Sequence, residues 1–554
     1  MNRPAAGQGQ SPGRGESTGS GESLVQGQSA GRGESLVQGI AVLSVAGFVA
    51  KLLGAAYRIP LTRLIGAEGV GIYQLAYPVY VTLLSVARAG IPVAISKLVA
   101  EYHAVGKDSH ARRVFWVSFW LLASSGLIFT IALGLGAGVV ARWLGDPRAA
   151  LALTAVAPAI LLVAAGSAFR GYFQGLRRMT PTAVADVVEQ FARVAVILVL
   201  AWVLFPRGVE VAAAGAAGGA VAGSMISLAY VAGLYLRGGN RLLAPGAAPR
   251  GEDVPLARRV LSLGIPVAAA SLALPLMGFL DAVIVQNRLR VAGYALREAT
   301  TLYGRLTGLA MTLVNLPAVL ATAIAANMVP WVSQAHATGD RRELARRASL
   351  GVRACNLFSV PAAVGLLALA TPITSLLYAD PAAGAVLAWV SPAVVFLNLY
   401  LVTTSILQGM GMPVVPIYHI AAGGLAKIVT SYTLTAIPAW NVRGAALGSV
   451  VAYLVAGFLN LRAVMRRTGL HPDWRGWLVI PTVGSLVMTP VALLVDGYWP
   501  WGRHVGTLAA ITMAALVYGL VVLLAGGVRK EEIASLPGGT RLLGVAGRLR
   551  LPIR

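Results

Sequence analysis

The sequence predicts an all-α polytopic membrane protein with about fourteen spans arranged as two halves. Composition is the first of three observations behind this. Of the 554 residues, 57% are hydrophobic and 12% charged, with a mean hydropathy of +0.73; soluble domains carry about 25% charged residues. Second, apolar runs of about 18 residues or more, each long enough to cross a bilayer, recur almost throughout. Third, Lys and Arg gather mostly in the polar breaks between those runs. The net charge of +24 therefore reads as topology signal and anionic-lipid contact. Nucleic-acid binding is not expected, because no basic-aromatic patch or nucleic-acid motif accompanies the charge.

Residues 1–35 are rich in Gly, Ser, Gln and Glu, and GESLVQG occurs at 21–27 and again at 33–39. Too little apolar surface is present to offset ordering, which predicts a disordered cytoplasmic tail rather than a signal peptide. The expected spans follow near 37–57, 70–96, 114–142, 150–174, 182–205, 210–236, 257–285, 304–330, 348–378, 383–408, 414–437, 443–465, 477–496 and 504–527. The first six make an N-terminal bundle over 36–237, and a linker at 238–255 separates them from a second bundle over 256–528. A basic tail, 529–554, ends the chain. Counted on alternate sides, roughly 29 Lys and Arg face about 10, which predicts both termini and the linker in the cytoplasm. A short echo supports the two halves. HAVGKD (103–108) and HATGD (336–340) each follow the second span of their half.

The chain is organised around residues 51–97, where Lys51, Arg58 and Arg88 sit in or beside apolar segments. A cation in hydrocarbon costs several kcal/mol, so such residues face a wet cavity and suggest an anion-accepting path through a transporter. Lys51 and Arg58 are seven residues apart and share one helix face if the first span continues through both. Gly90-Ile91-Pro92, just after Arg88, is a helix-breaking combination that frees backbone groups. Asp281 and Lys427 are isolated charges in the seventh and eleventh spans, fit either for ion coupling or for pairing with each other. Glu189 and Arg193 have the spacing of a structural helix pair. His419 reads as a packed helix residue, and the single Cys355 as a small core residue that excludes an intrachain disulfide. No GxSxG, Walker A, HExxH or paired loop carboxylates are present, so the chain is not expected to be an enzyme or to hydrolyse ATP. No cofactor is expected, and the energy source is an Na+ or H+ gradient, the membrane potential, or consumption of product on the far side.

The stretches AKLLGAAYRIPLTRLIGAEGVGIYQLAYPVY (50–80), AGIPVAISKLVAEY (89–102) and RGYFQGLRRMTPTAVADVVEQFARV (170–194) resemble the stage V sporulation protein B group. LPLMGFLDAVIVQNRL (274–289) and KIVTSYTLTAIP followed by RGAALGS (427–449) do so as well. That group belongs to the polysaccharide branch of the multidrug/oligosaccharidyl-lipid/polysaccharide flippase superfamily and includes proteins similar to MurJ-type lipid II flippases. The resemblance implies two bundles in a V around a central cavity, open alternately to either side. It also implies a cargo of undecaprenyl-pyrophosphate-linked sugar, a place in the cytoplasmic membrane, and cell-wall synthesis enzymes as partners. Lys51, Arg58 and Arg88 would bind the pyrophosphate, and the resemblance adds Arg305, at the start of the eighth span, as a cation of the second half. Rival readings are a spore-cortex or exopolysaccharide cargo, a cation-coupled multidrug antiporter and an envelope scaffold.

Overall fold

The computed structural model describes residues 36–237, 253–500 and 502–527. The expected N-terminal tail, most of the linker and the basic C-terminal tail lie outside the described residues. Among those described, the chain is helical with no strand. Each expected span falls on helix. Among the described residues, ten stretches are long and apolar enough to cross a membrane, or eleven with the bent pair Ala382–Val390 and Ala393–Gly409. One of the ten, Val45–Ala104, holds most of the first expected span and all of the second. The helices Asp253–Val291 and Val415–Leu434 coincide with the seventh and eleventh.

Local breaks follow the chemistry of particular residues. The helix Arg58–Arg88 is turned at Gly66, whose φ of 68° suits a residue without Cβ. It ends at Ala89 and Gly90, both in the left-handed region, and Pro92 begins the next helix, Ile91–Ala104. Residues 58–69, left between the first two expected spans, are largely helical. The two echo motifs occupy matching turns. Gly106 and Gly339 each take φ of 70° where one helix ends and the next starts.

The buried side chains sort the molecule into ends. One shared core includes Leu144, Ala149, Ala201, Ala212, Leu289 and Ala299, which flank the connections 144–148, 205–208 and 292–295. It also holds Tyr378, Ala383, Val442 and Ala510, so residues of both halves meet there. At the opposite end, where the helix Val209–Arg237 ends and the helix Asp253–Val291 begins, the core divides in two. One cluster holds Val99, Ala111, Phe173, Tyr235 and Val260. The other holds Ala335, Leu344, Leu407, Val464 and Trp477. The two bundles thus make a V, joined at one end and parted at the end marked by Arg237 and Asp253.

Small residues make the joined end possible. Gly71 packs against the carbonyl of Thr300, and Gly304 against that of Ala67, so closely that a Cβ at either would overlap backbone. Close backbone approach through Gly is how helices gain packing energy where lipid supplies no hydrophobic drive. The long helix Asp253–Val291 ties the halves together lengthwise. Its Gly264 abuts Gly90, and Thr82 Oγ1 donates to the Pro275 carbonyl at 2.9 Å.

Candidate functional site

The first helix, Leu36–Ala56, passes into the second without losing helical geometry. Tyr57 has φ −64° and ψ −21°, and the bonds from Tyr57 N to Leu53 O and from Leu61 N to Tyr57 O, both 3.1 Å, carry the ladder across. That continuity puts Lys51 and Arg58 on one wall of a cavity of about 350 Å³. The facing wall is the helix Met311–Ala337 of the other half, which presents Thr312, Asn315 and Thr322. The lining residues are cationic, polar or apolar; no carboxylate is among them.

Arg58 is the centre of this arrangement. Its Nη1 donates to Thr312 Oγ1 at 2.5 Å, and Thr312 Oγ1 in turn donates to the carbonyl of Gly308. Arg58 Nε is buried with no acceptor. A guanidinium presents five N–H donors in a planar fork, so one hydroxyl leaves most of its capacity for an anion. Gly308 belongs to a π-helical turn, Arg305–Ala310, and such turns interrupt helices mostly at functional positions.

Arg88 lies elsewhere, at the C-terminus of the helix Arg58–Arg88, without an ion pair among the described residues. It is within electrostatic reach of a second charge cluster. Arg170 approaches Glu189 at 2.6 Å and Asp186 at 3.3 Å, and Arg193 approaches Glu189 at 2.6 Å. Glu189 and Arg193 form the i,i+4 pair that their spacing suggests. Arg170, which sequence reasoning did not single out, is the hub. Arg88, Arg170 and Arg193 outnumber Asp186 and Glu189 by one positive charge.

The remaining candidates are paired. Arg305 Nε is 2.8 Å from Asp380 Oδ2, and Asp380 Oδ1 accepts from the amides of Ala382 and Ala383 at the start of the next helix. Arg305 does not line the Lys51–Arg58 cavity. Lys427 Nζ is 3.0 Å from Asp281 Oδ2, joining the helices Val415–Leu434 and Asp253–Val291. His419 Nδ1 is 2.7 Å from Asn460 Oδ1, and Cys355 is buried. Among the described residues no cluster of three His, Cys, Asp or Glu side chains could hold a metal ion.

Two features were not visible from the sequence. One is a polar lock across the joined end. Asp146, wholly buried, accepts from Thr300 Oγ1 at 2.6 Å, and Gln286 donates to the same hydroxyl at 2.8 Å. Arg148 holds Asp146 at 2.8 Å and also pairs with Glu68. Arg63 adds bonds to the carbonyls of Leu376 and Leu377 in the second half. In sequence Arg63, Glu68, Asp146 and Arg148 look like ordinary interfacial loop charges. The other feature is an apolar cavity of about 510 Å³ between the helices Met311–Ala337, Arg341–Ala368, Ile480–Tyr498 and Arg503–Leu524. Leu316, on its wall, also lines the Lys51–Arg58 cavity, so the two spaces adjoin.

Comparison with known proteins gives this architecture relatives. A family model described as "Polysaccharide biosynthesis protein" matches residues 36–336, and a second, MatE, matches 306–433. Stage V sporulation protein B of Bacillus subtilis (strain 168) is 27% identical over 510 residues, 91% of this chain and 98% of the relative. Lipid II flippase MurJ of the same organism is 26% identical over 449 residues, 77% of this chain and 82% of the relative. Among solved structures, a lipid II flippase MurJ in an inward closed conformation superposes with a TM-score of 0.66 at 14% identity. It covers 87% of this chain and 98% of that one.

Proposed function

The chain belongs to the polysaccharide biosynthesis protein family, and from that premise we propose that it flips a lipid-linked, pyrophosphate-bearing glycan precursor across the cytoplasmic membrane by alternating access. The observation that carries the reading is the cavity where Lys51 and Arg58 face Thr312 and Asn315 across the two halves, with no carboxylate among its lining residues. A pyrophosphate supplies the missing negative charge, and the Arg fork binds its oxygens bidentately. The polar Thr and Asn side chains suit sugar hydroxyls. The adjoining apolar cavity suits the first isoprene units of the lipid, so that only the headgroup needs a wet path. No bond is made or broken in such a step.

Similarity to a lipid II flippase, at 26% identity, supports a peptidoglycan precursor as cargo, and similarity to stage V sporulation protein B supports a related glycan for the spore envelope. The cation-coupled antiporter reading asks for acidic groups in the cavity, and cations stand there instead. Asp281 carries its own ammonium, so a coupling cation at that carboxylate would have to compete with Lys427. Arg88, with the uncompensated charge of its cluster, is a second contact for the headgroup as it moves toward the open end. Arg305 anchors the π-helical turn through Asp380 and acts on the cavity at one remove.

The test is complementation of a cell depleted of its lipid II flippase, with wild type beside Lys51→Ala, Arg58→Ala and Arg88→Ala at matched membrane levels. Rescue by wild type and loss in Arg58→Ala support the cargo class and the cationic cavity together. Rescue by all three variants removes the cation assignment. A well-expressed wild type that fails to rescue moves the cargo to a spore or exopolysaccharide precursor.

A further inference from the structure

Outside the central cavity, the second bundle carries two adjacent basic pockets at the parted end of the V. The first, about 400 Å³, is lined by His419, Leu459, Arg462, Ala463, Arg466 and Arg467. The second, about 390 Å³, shares Arg467 and adds His336 and Arg341. Every charged or titratable side chain lining either pocket is basic. Arg341, Arg462, Arg466 and Arg467 have no carboxylate partner among the described residues, whereas at the same end Glu343 holds Arg346 and Arg347, and Asp253 holds Arg113. His419 spends Nδ1 on Asn460, which orients its ring at the pocket wall.

The pockets continue into an exposed apolar surface. On the helix Asn441–Thr468, Leu454, Phe458, Arg462 and Arg466 recur every four residues, so one helix face runs from apolar to basic toward its C-terminus. Phe458 is 59% exposed, and on the neighbouring helix Tyr418 and Leu425 are exposed at 71% and 65%. A stripe that is apolar at membrane depth and cationic at its end matches a molecule with an acyl chain below a phosphate. We infer that this groove between the helices Val415–Leu434 and Asn441–Thr468 is a binding site for an anionic phospholipid. The phosphate lies against Arg462, Arg466 and His419, and an acyl chain lies over Phe458 and Leu454. The site is separate from the cargo cavity and stands or falls independently of the proposed function.

Native mass spectrometry of the delipidated full-length protein tests this, with phosphatidylglycerol, phosphatidylcholine and inorganic phosphate as separate probes. The variants are Arg462→Gln/Arg466→Gln and a control, Lys107→Gln/Arg178→Gln, which removes two exposed cations of the first bundle. Wild type and control are expected to retain one or a few phosphatidylglycerol molecules and to discriminate against phosphatidylcholine. The Arg462/Arg466 variant should bind roughly thirtyfold more weakly, the product of two guanidinium–headgroup attractions, while keeping the melting temperature of wild type. Equal weakening in the control, or less than about threefold loss in the site variant against that thirtyfold expectation, overturns the site in favour of diffuse annular contact. Full displacement of the lipid by millimolar inorganic phosphate overturns the acyl-chain half and leaves a soluble-anion site.

Discussion

Thr300 of the second half donates a 2.6 Å hydrogen bond to the buried carboxylate of Asp146 in the first half. The bond crosses the seam at the end where the two bundles share a core, beside the close contact of Gly71 with the Thr300 carbonyl. Under the alternating access proposed above, this seam parts, and the bond would be lost or exchanged in each cycle.

Thr300→Val should therefore favour opening at that end. A net contribution of about 1.5–3 kcal/mol for a hydrogen bond to a charged group corresponds to at least about a tenfold shift in the open-to-closed ratio. Spin labels at Pro147→Cys and Glu298→Cys, in a Cys355→Ser background, should show a longer-distance population that is minor without the substitution. An unchanged distance distribution would show that the Gly contacts hold the seam without the polar lock.

Gly71→Ala tests those contacts separately. The added methyl overlaps the Thr300 carbonyl, and relief requires backbone movement, at a cost of about 1–3 kcal/mol to the closed arrangement. The same labels should report the same direction of change as Thr300→Val. Gly106→Ala, at an open turn far from the seam, should leave the distances alone.

Arg58→Lys should lose most of the function that Arg58→Ala loses, because an ammonium keeps the charge but not the planar fork. Lys51→Arg should be tolerated, since Lys51 is exposed in the cavity and has room for a larger head. Titration of the purified protein with a pyrophosphate-headed lipid would measure both. Equal affinities for Arg58→Lys and wild type would mean that charge alone is read.

Lys427→Met should destabilise the protein by about 3 kcal/mol, because it strands Asp281 between helices. Asp281→Asn combined with Lys427→Met should recover much of that loss, and the double-mutant cycle measures the coupling directly. Thermal melts in detergent suffice. If Lys427→Met alone melts like wild type but gains sodium-dependent stabilisation, the carboxylate has taken up a cation in place of the ammonium.

Arg305→Gln and Asp380→Asn should lower stability by similar amounts, about 1–3 kcal/mol for a partly buried pair. Each should leave cargo affinity per folded molecule within about threefold of wild type, given that only one wall of the cavity is touched indirectly. A loss in Arg305→Gln that exceeds the loss in Asp380→Asn by tenfold or more would mean that Arg305 meets the cargo itself.

Much of the candidate site is legible in the chain. The cost of placing Lys51 and Arg58 in apolar segments marks them without any alignment, and their seven-residue spacing predicts a shared face once Tyr57 is helical. The break after Arg88 follows from Gly90 and Pro92. Arg170 escaped notice because its span ends in a run of polar residues, where an Arg looks like a loop signal. The partner of Arg305 is 75 positions away, and no local pattern connects the two; the pairing of Lys427 with Asp281, 146 positions apart, was one of the two readings that two isolated intramembrane charges allowed.

By itself, then, the sequence determined the class, the order of the spans and the cations that need explanation. All of these follow from free energies of transfer and helix-breaking preferences, which act locally along the chain. Only the tertiary structure decided which cations keep their charge available and which end of the V is shut. Whether a buried guanidinium is spent or free depends on a counter-charge within a few ångströms. Such contacts join Arg305 to Asp380 and Lys427 to Asp281, and their absence leaves Arg58 facing a cavity. Closure at one end likewise rests on Gly71, Asp146 and Thr300 meeting across the two halves, a coincidence of position that packing alone creates.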